Sequence, residues 1–139
     1  MKKFPSDNGL IFLVCDDFRQ ENGGKTTLLG VYGNTLVAEK GKENGNEEEF
    51  AIPSLAFYTA FSDGEGEFTA SIQVKGPDGT LLLPPDTKQI VSKKSDGWLT
   101  LAFKMMPFRI TPGTHTLVIY LDDKEYARDF YVQLSDKQA

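Results

Sequence analysis

Residues Leu10–Gly33 read LIFLVCDDFRQENGGKTTLLGVYG, and their reading decides the fold. Leu10 to Cys15 is apolar at every position. Phe18 and Arg19 lead into a polar turn, Gln20-Glu21-Asn22-Gly23-Gly24, and Thr26 to Tyr32 returns as a second largely apolar run. The Asn-Gly step is a strong hairpin signal, because both residues tolerate positive φ. Gly30 and Gly33 in the return strand predict bulges or the close approach of another backbone. A sandwich strand normally buries one face, so unbroken apolarity over Leu10–Cys15 predicts a central strand whose outer face meets a loop, a terminus or another subunit.

The pattern extends outward from this hairpin. Phe68, Ala70, Ile72 and Val74 alternate with Thr69, Ser71, Gln73 and Lys75, which predicts one buried and one wet face. Leu55–Phe61 alternates as well, and Leu99, Leu101, Phe103 and Met105 point inward from a strand at Trp98–Met105. Asn34–Ala38 reads as a short edge strand, Thr80–Leu83 and Thr87–Val91 as short strands, Ser92–Gly97 as a loop, and Ile110 as a residue between turns. Thr116–Leu121 and Tyr126–Leu134 form a closing hairpin across Asp122-Asp123-Lys124. No window reads as a helix; a short helical turn fits only at Asp17–Asn22. About eight to ten short strands at this spacing define an all-β chain, an antiparallel β-sandwich of immunoglobulin-like type, with a barrel as the alternative. The expected organisation is a single domain over residues 1–139, with a flexible acidic loop at 39–49 and a fraying tail at 135–139.

Composition narrows the function. The 139 residues carry a net charge of −5. Binding to nucleic acid or to an anionic membrane surface needs clustered Lys and Arg, so neither is expected. A single cysteine, Cys15, excludes an intramolecular disulfide, and one cysteine with one histidine cannot build a Cys/His zinc cage. The apolar run before Cys15 is too short for a signal peptide, and no stretch approaches the ~20 residues of a membrane span. The chain is read as cytoplasmic and unprocessed.

Asp16 and Asp17 are the first candidates for chemistry. In a regular strand they point to opposite faces and cannot form a catalytic dyad. If the strand ends there, both could face a cation with Glu21; otherwise they end the apolar run or pair with Arg19 or Lys25. Gly23-Gly24-Lys25-Thr26-Thr27 looks like the end of a phosphate loop, but position 19 is Arg and a strand follows where a helix is needed. Glu47, Glu48 and Glu49 sit in a loop too poorly organised for metal capture. His115 shares parity with Leu117, Ile119 and Leu121 and is expected at the rim of the core, and Cys15 is expected to be buried rather than reactive. Trp98, Tyr58, Tyr120 and Tyr131 are explained as core or cross-strand residues, with an aromatic binding surface as the alternative. No catalytic residue, metal ligand or cofactor is assigned. The binding candidates are Asp16, Asp17, Arg19 and Lys25.

Cys15-Asp16-Asp17, Gly23-Gly24-Lys25 and Leu29-Gly30-Val31-Tyr32-Gly33 together resemble the opening signature of an uncharacterised family of small β-sandwich proteins from bacteria and their phages. Ile52-Pro53-Ser54-Leu55 and the hairpin from Pro112 to Val132 resemble its later parts. The resemblance implies the fold and brings no activity. The expected function is non-enzymatic: a protein acting through self-association or a protein partner. The alternative is a small-ligand or divalent-metal binder, for example a phage sponge for a signalling molecule, using the Asp16/Asp17/Arg19/Lys25 end. A hydrolase using Asp16 or Asp17 is the third reading.

Overall fold

The computed structural model describes residues 2–39, 50–52, 54–83 and 88–135. The acidic segment from residue 40 to Glu49, Pro53, the Pro84-Pro85 pair and the tail from residue 136 lie outside them. The described residues form an all-β sandwich. Sheet I has strand order β2-β1-β5-β9, with β1 Leu10–Gln20, β2 Thr26–Gly33, β5 Leu55–Phe61 and β9 Leu99–Met105. Sheet II runs β3-β12-β11-β6-β7, with β8 also on β6; its strands are β3 Thr35–Glu39, β6 Gly66–Lys75, β7 Leu81–Leu83, β8 Gln89–Lys93, β11 Gly113–Leu121 and β12 Lys124–Ser135. A two-stranded ribbon pairs β4 Phe50–Ile52 with β10 Phe108–Ile110.

The leading hairpin forms as read. β1 is central, held by β2 on one side and β5 on the other. At the tip it is Gly23 and Gly24, not Asn22, that take positive φ, at 83° and 76°. Among the described residues the one helical turn, at Asp7–Gly9, is a 3-10 turn capped by Ser6. None forms at Asp17–Asn22, because β1 continues in register through Gln20, opposite Thr26.

Pairing corrects several expectations. The described residues hold twelve strands rather than about eight to ten, since β4 and β10 are three-residue strands without enough length to show a period, whereas β7, equally short, is expected at Thr80–Leu83. Ile110 belongs to one of them, opposite Phe50. Ser92 and Lys93 belong to β8 rather than to a loop; Lys93 is buried and donates from Nζ to the carbonyls of Gly64 (3.1 Å) and Lys94 (2.5 Å). β3 is indeed an edge strand, but it runs parallel to β12, because it enters sheet II from the β2 side after Gly33 and Asn34. The outer face of β6 is not wholly wet: Ser71 and Gln73 are buried as well. β6 is an interior strand, and Tyr120 and Val118 stand opposite these two residues on β11.

The two sheets meet over aromatic rings. Leu10, Phe12 and Val14 of β1 join Leu55, Phe57 and Phe61 of β5 and Leu99, Leu101, Phe103 and Met105 of β9. Phe57 lies at the centre. It stacks on Phe103 at 4.9 Å, meets Phe130 of sheet II edge-on at 5.3 Å, and reaches Phe108 of the ribbon at 6.4 Å. Towards the other end Phe61 meets Tyr126 at 4.8 Å. Burial on this scale supplies most of the stabilisation of a sandwich, since each fully buried Phe is worth about 1.5–3 kcal/mol over leaving it in water. Thr59 carries a hydroxyl inside sheet I and satisfies it on the Leu101 carbonyl at 2.5 Å.

The N-terminal segment crosses the end of the sandwich near the β11–β12 turn. The Tyr126 hydroxyl donates to the Pro5 carbonyl at 2.7 Å, Phe4 packs on Phe68 at 5.1 Å, and Arg128 donates to Asp7 and to the Leu10 carbonyl. Lys2 pairs with Asp122 at 2.6 Å.

His115 is fully buried, deeper than the rim position expected. Its ring stacks on Phe130 at 5.0 Å and its Nδ1 lies 3.3 Å from the Gly113 carbonyl, while buried Nε2 has no hydrogen-bond partner. That carbonyl is met by a proton on Nδ1, while burial with no partner at Nε2 favours the neutral ring. Burial pushes its pKa below the ordinary value, the Gly113 carbonyl opposing more weakly. The unfolded chain therefore takes up a proton first as pH falls through the ordinary histidine range, about 6.5, and native stability drops below that point. The urea midpoint is expected to fall between about pH 6.5 and 5, above the range where carboxylates titrate, and His115→Phe is expected to flatten that fall. Parallel profiles for the two proteins would remove His115 as the cause.

Candidate functional site

A bulge between Val14 and Cys15 shifts the β1–β2 register, and beyond it the strand stays regular through both aspartates. Asp16 and Asp17 accordingly diverge. Asp17 points to the outer face of sheet I, where its Oδ1 meets Lys104 Nζ at 2.5 Å. Lys104 stands opposite Ala56, which in turn stands opposite Cys15, so the pair spans β5. The Lys104 ammonium and then the Phe18 N–H hold the Asp17 carboxyl below the usual carboxylate range. Lys104 also lies 5.2 Å from the Phe18 ring centre.

Asp16 turns to the other side and accepts a hydrogen bond from the Tyr32 hydroxyl. Burial and the Asp16 carboxylate push the Tyr32 phenol up to about 12. Gly30 makes room for this contact. Its φ is +66°, and a Cβ there would fall well inside contact distance of the Asp16 carboxylate. Tyr32 itself packs against the core. Asp16, Gly30 and Tyr32 thus lock β2 onto the end of β1, which gives the Cys-Asp-Asp and Leu-Gly-Val-Tyr-Gly segments a structural reason to accompany one another.

Arg19 shares the outer face with Asp17 and contributes a smaller attraction to it. Lys25 is at the hairpin tip, beside a shallow depression lined with Glu21, Asn22, Thr26 and Thr27. The four candidates therefore fall into three places: Asp17 with Arg19, Asp16 with Tyr32, and Lys25 at the tip. Among the described residues no group of three His, Cys, Asp or Glu side chains is placed to hold a metal ion. Sequence reasoning missed Lys104, Tyr32 and Gly30 as partners. The outward parity of Lys104 beside Leu101, Phe103 and Met105 was legible, but its alignment with Asp17 depends on a register set two strands away.

Cys15 is fully buried and free. Burial, helped by Asp16 and Asp17, raises its thiol pKa against the opposing backbone N–H groups of Asp17 and Leu29. A disulfide reagent is expected to label Cys15 in the native protein far more slowly than in urea, by about a hundredfold or more. Comparable rates in the two conditions would show an accessible thiolate.

The outer face of sheet I is the more extended feature. Ile11 and Leu13 of β1, Tyr58 of β5 and Ala102 of β9 are half-buried there, following the register Leu13↔Tyr58↔Ala102. On β2, Leu29 and Val31 continue the face at 39% and 51% exposure. The expected cover is only partial: Cys15, Ala56 and Ala60 are sealed by their neighbours, whereas the larger side chains around them remain in reach of solvent.

No protein-family model and no curated protein matches the chain. Among solved structures it is similar to the β-glucosidase from Listeria innocua, at 9% identity and a TM-score of 0.41, over 93% of this chain and 16% of that one. It is also similar to the C-terminal domain of wzt, at 12% identity and a TM-score of 0.38, over 98% of this chain and 78% of that one. This chain thus spans about a sixth of the length of the glucosidase. At these identities neither likeness bears on what this chain does. No helix among the described residues is long and apolar enough to cross a membrane.

Proposed function

We propose that the protein is a cytoplasmic, non-enzymatic β-sandwich that works by binding another macromolecule, a second copy or a protein partner, through the outer face of sheet I. The observation that supports this reading is the apolar band of Ile11, Leu13, Leu29, Val31 and Tyr58. Such a band on a sheet face is characteristic of an interaction surface. The dispersal of Asp16, Asp17, Arg19 and Lys25 favours this reading over a ligand site at the hairpin end. A photo-crosslinking phenylalanine derivative at Tyr58 tests it, with Tyr131 on sheet II as control. Irradiation in cells is expected to give a discrete protein adduct from position 58 and none from position 131. No adduct at 58, or equal adducts at both, would sink the proposal.

A further inference from the structure

The outer face of sheet II carries polar groups that the fold does not use. Thr69 and Ser71 of β6 face outward there, and Tyr120 of β11 stands opposite Ser71. Together with Lys88, just ahead of β8, and Asp122, in the β11–β12 turn, they line a depression of about 310 Å³. That lies at the lower end of the ~300–1,000 Å³ usual for small-molecule sites and leaves room for one compact ring. Ser71 is 9% exposed, yet its hydroxyl has no hydrogen-bond partner among the described residues. A hydroxyl desolvated to this extent is ordinarily satisfied by the protein or by something bound to it.

Asp122 is already held in place at one end of the depression. Its Oδ1 accepts from the Thr69 N–H at 2.8 Å, its own N–H donates to the Thr69 carbonyl at 2.8 Å, and Lys2 meets Oδ2 at 2.6 Å. The carboxylate is thus fixed before a ligand arrives, and it keeps lone pairs for a further donor. Charge narrows the ligand class. Lys2 and Lys88 are offset by Asp122 and by Glu125, which stands opposite Tyr120 on β12. An oxyanion gains no net attraction from that set, and neither does a cation. What remains is a phenol ring bordered by two hydroxyls, an ammonium and one fixed carboxylate. A sugar matches this: its hydroxyls donate and accept, and its C–H face packs on an aromatic ring.

We propose that the depression binds one neutral sugar ring, its hydroxyls on Ser71, Thr69, Asp122 and Lys88 and its C–H face against Tyr120. The site lies on the opposite side of the sandwich from the apolar band of sheet I and does not rest on the binding reading above.

Amide NMR titration of the full chain tests this, with the methyl glycosides of glucose, galactose, mannose and N-acetylglucosamine as probes and inorganic phosphate as the anionic comparison. At least one glycoside is expected to shift the amides of Thr69, Ser71, Tyr120 and Asp122 saturably, at the millimolar affinity that suits a shallow site for a single ring. Ser71→Ala is expected to weaken that binding about five- to tenfold through the loss of one hydrogen bond. Lys88→Ala, which changes an exposed side chain and leaves the core untouched, is expected to weaken it about threefold. No saturable shift from any glycoside at tens of millimolar overturns the proposal. A response to phosphate alone also overturns it and makes the depression an anion site. So does a sugar response confined to other amides, or one that both variants leave unchanged. A protein adduct from Tyr58 can form with or without sugar binding, so the two readings fail separately.

Discussion

Phe57→Ala is expected to destabilise the protein by about 3–5 kcal/mol, a large part of the ~5–15 kcal/mol typical of a folded domain. Phe57 is fully buried and makes ring contacts with Phe12, Phe103, Phe108 and Phe130. Those rings come from both sheets and from the β4–β10 ribbon. Removing the Phe57 ring therefore opens a cavity where three layers meet, and their backbones are too constrained by strand pairing to collapse into it. Urea denaturation followed by tryptophan fluorescence and circular dichroism measures the effect. A loss below about 1 kcal/mol would mean that the site relaxes and that the rings are not a shared keystone. Phe57→Leu, which keeps much of the volume, is expected to lose clearly less.

Gly30→Ala is the second large effect, and it acts through the backbone. A side chain at φ +66° is strained, at a cost of about 1–3 kcal/mol for conformations of this kind. It also drives the Asp16 carboxylate away from the Tyr32 hydroxyl, leaving a half-buried phenol without its acceptor. The two contributions separate in a double-mutant cycle with Asp16→Ala. In the Asp16→Ala background, Gly30→Ala is expected to cost less than in the wild type, because the collision with the carboxylate is gone and only the backbone strain and a tight 3.2 Å approach to the Cβ of residue 16 remain. Strict additivity would show that Asp16 and Gly30 do not interact. The outcome bears on the hairpin signature directly: coupling assigns Asp16 to holding β2 in place rather than to binding a ligand.

How much of this was legible in advance depends on how far apart the interacting residues lie. The opposite orientation of Asp16 and Asp17 followed from the two-residue period of a strand, and the structure keeps it. The inward sets at Phe68–Val74 and Leu99–Met105 followed from the same period, with Ile72, Phe103 and Met105 only partly buried at their margins. The burial of Cys15 followed from the apolar run before it. The burial of Ser71 and Gln73 did not, because cover on the outer face of β6 comes from its neighbours in the sheet. The partners of the charges were hidden for the same reason. Asp17 was matched with Arg19 and Lys25, which are near in sequence, but the side chain that reaches its oxygen is Lys104, 87 positions away along a chain of 139.

The sequence by itself determined the all-β class, the hairpin at its head, the closing hairpin and most of the inward-facing residues. Each is a matter of local period and turn chemistry, carried by residues within a few positions of one another. The tertiary structure alone decided the parallel pairing of β3 with β12, the β4–β10 ribbon, and the Asp17–Lys104 and Asp16–Tyr32 contacts. Those depend on which strands become neighbours and in what register. That choice is made by burying rings such as Phe57, Phe108 and Phe130 together, and no local pattern encodes it.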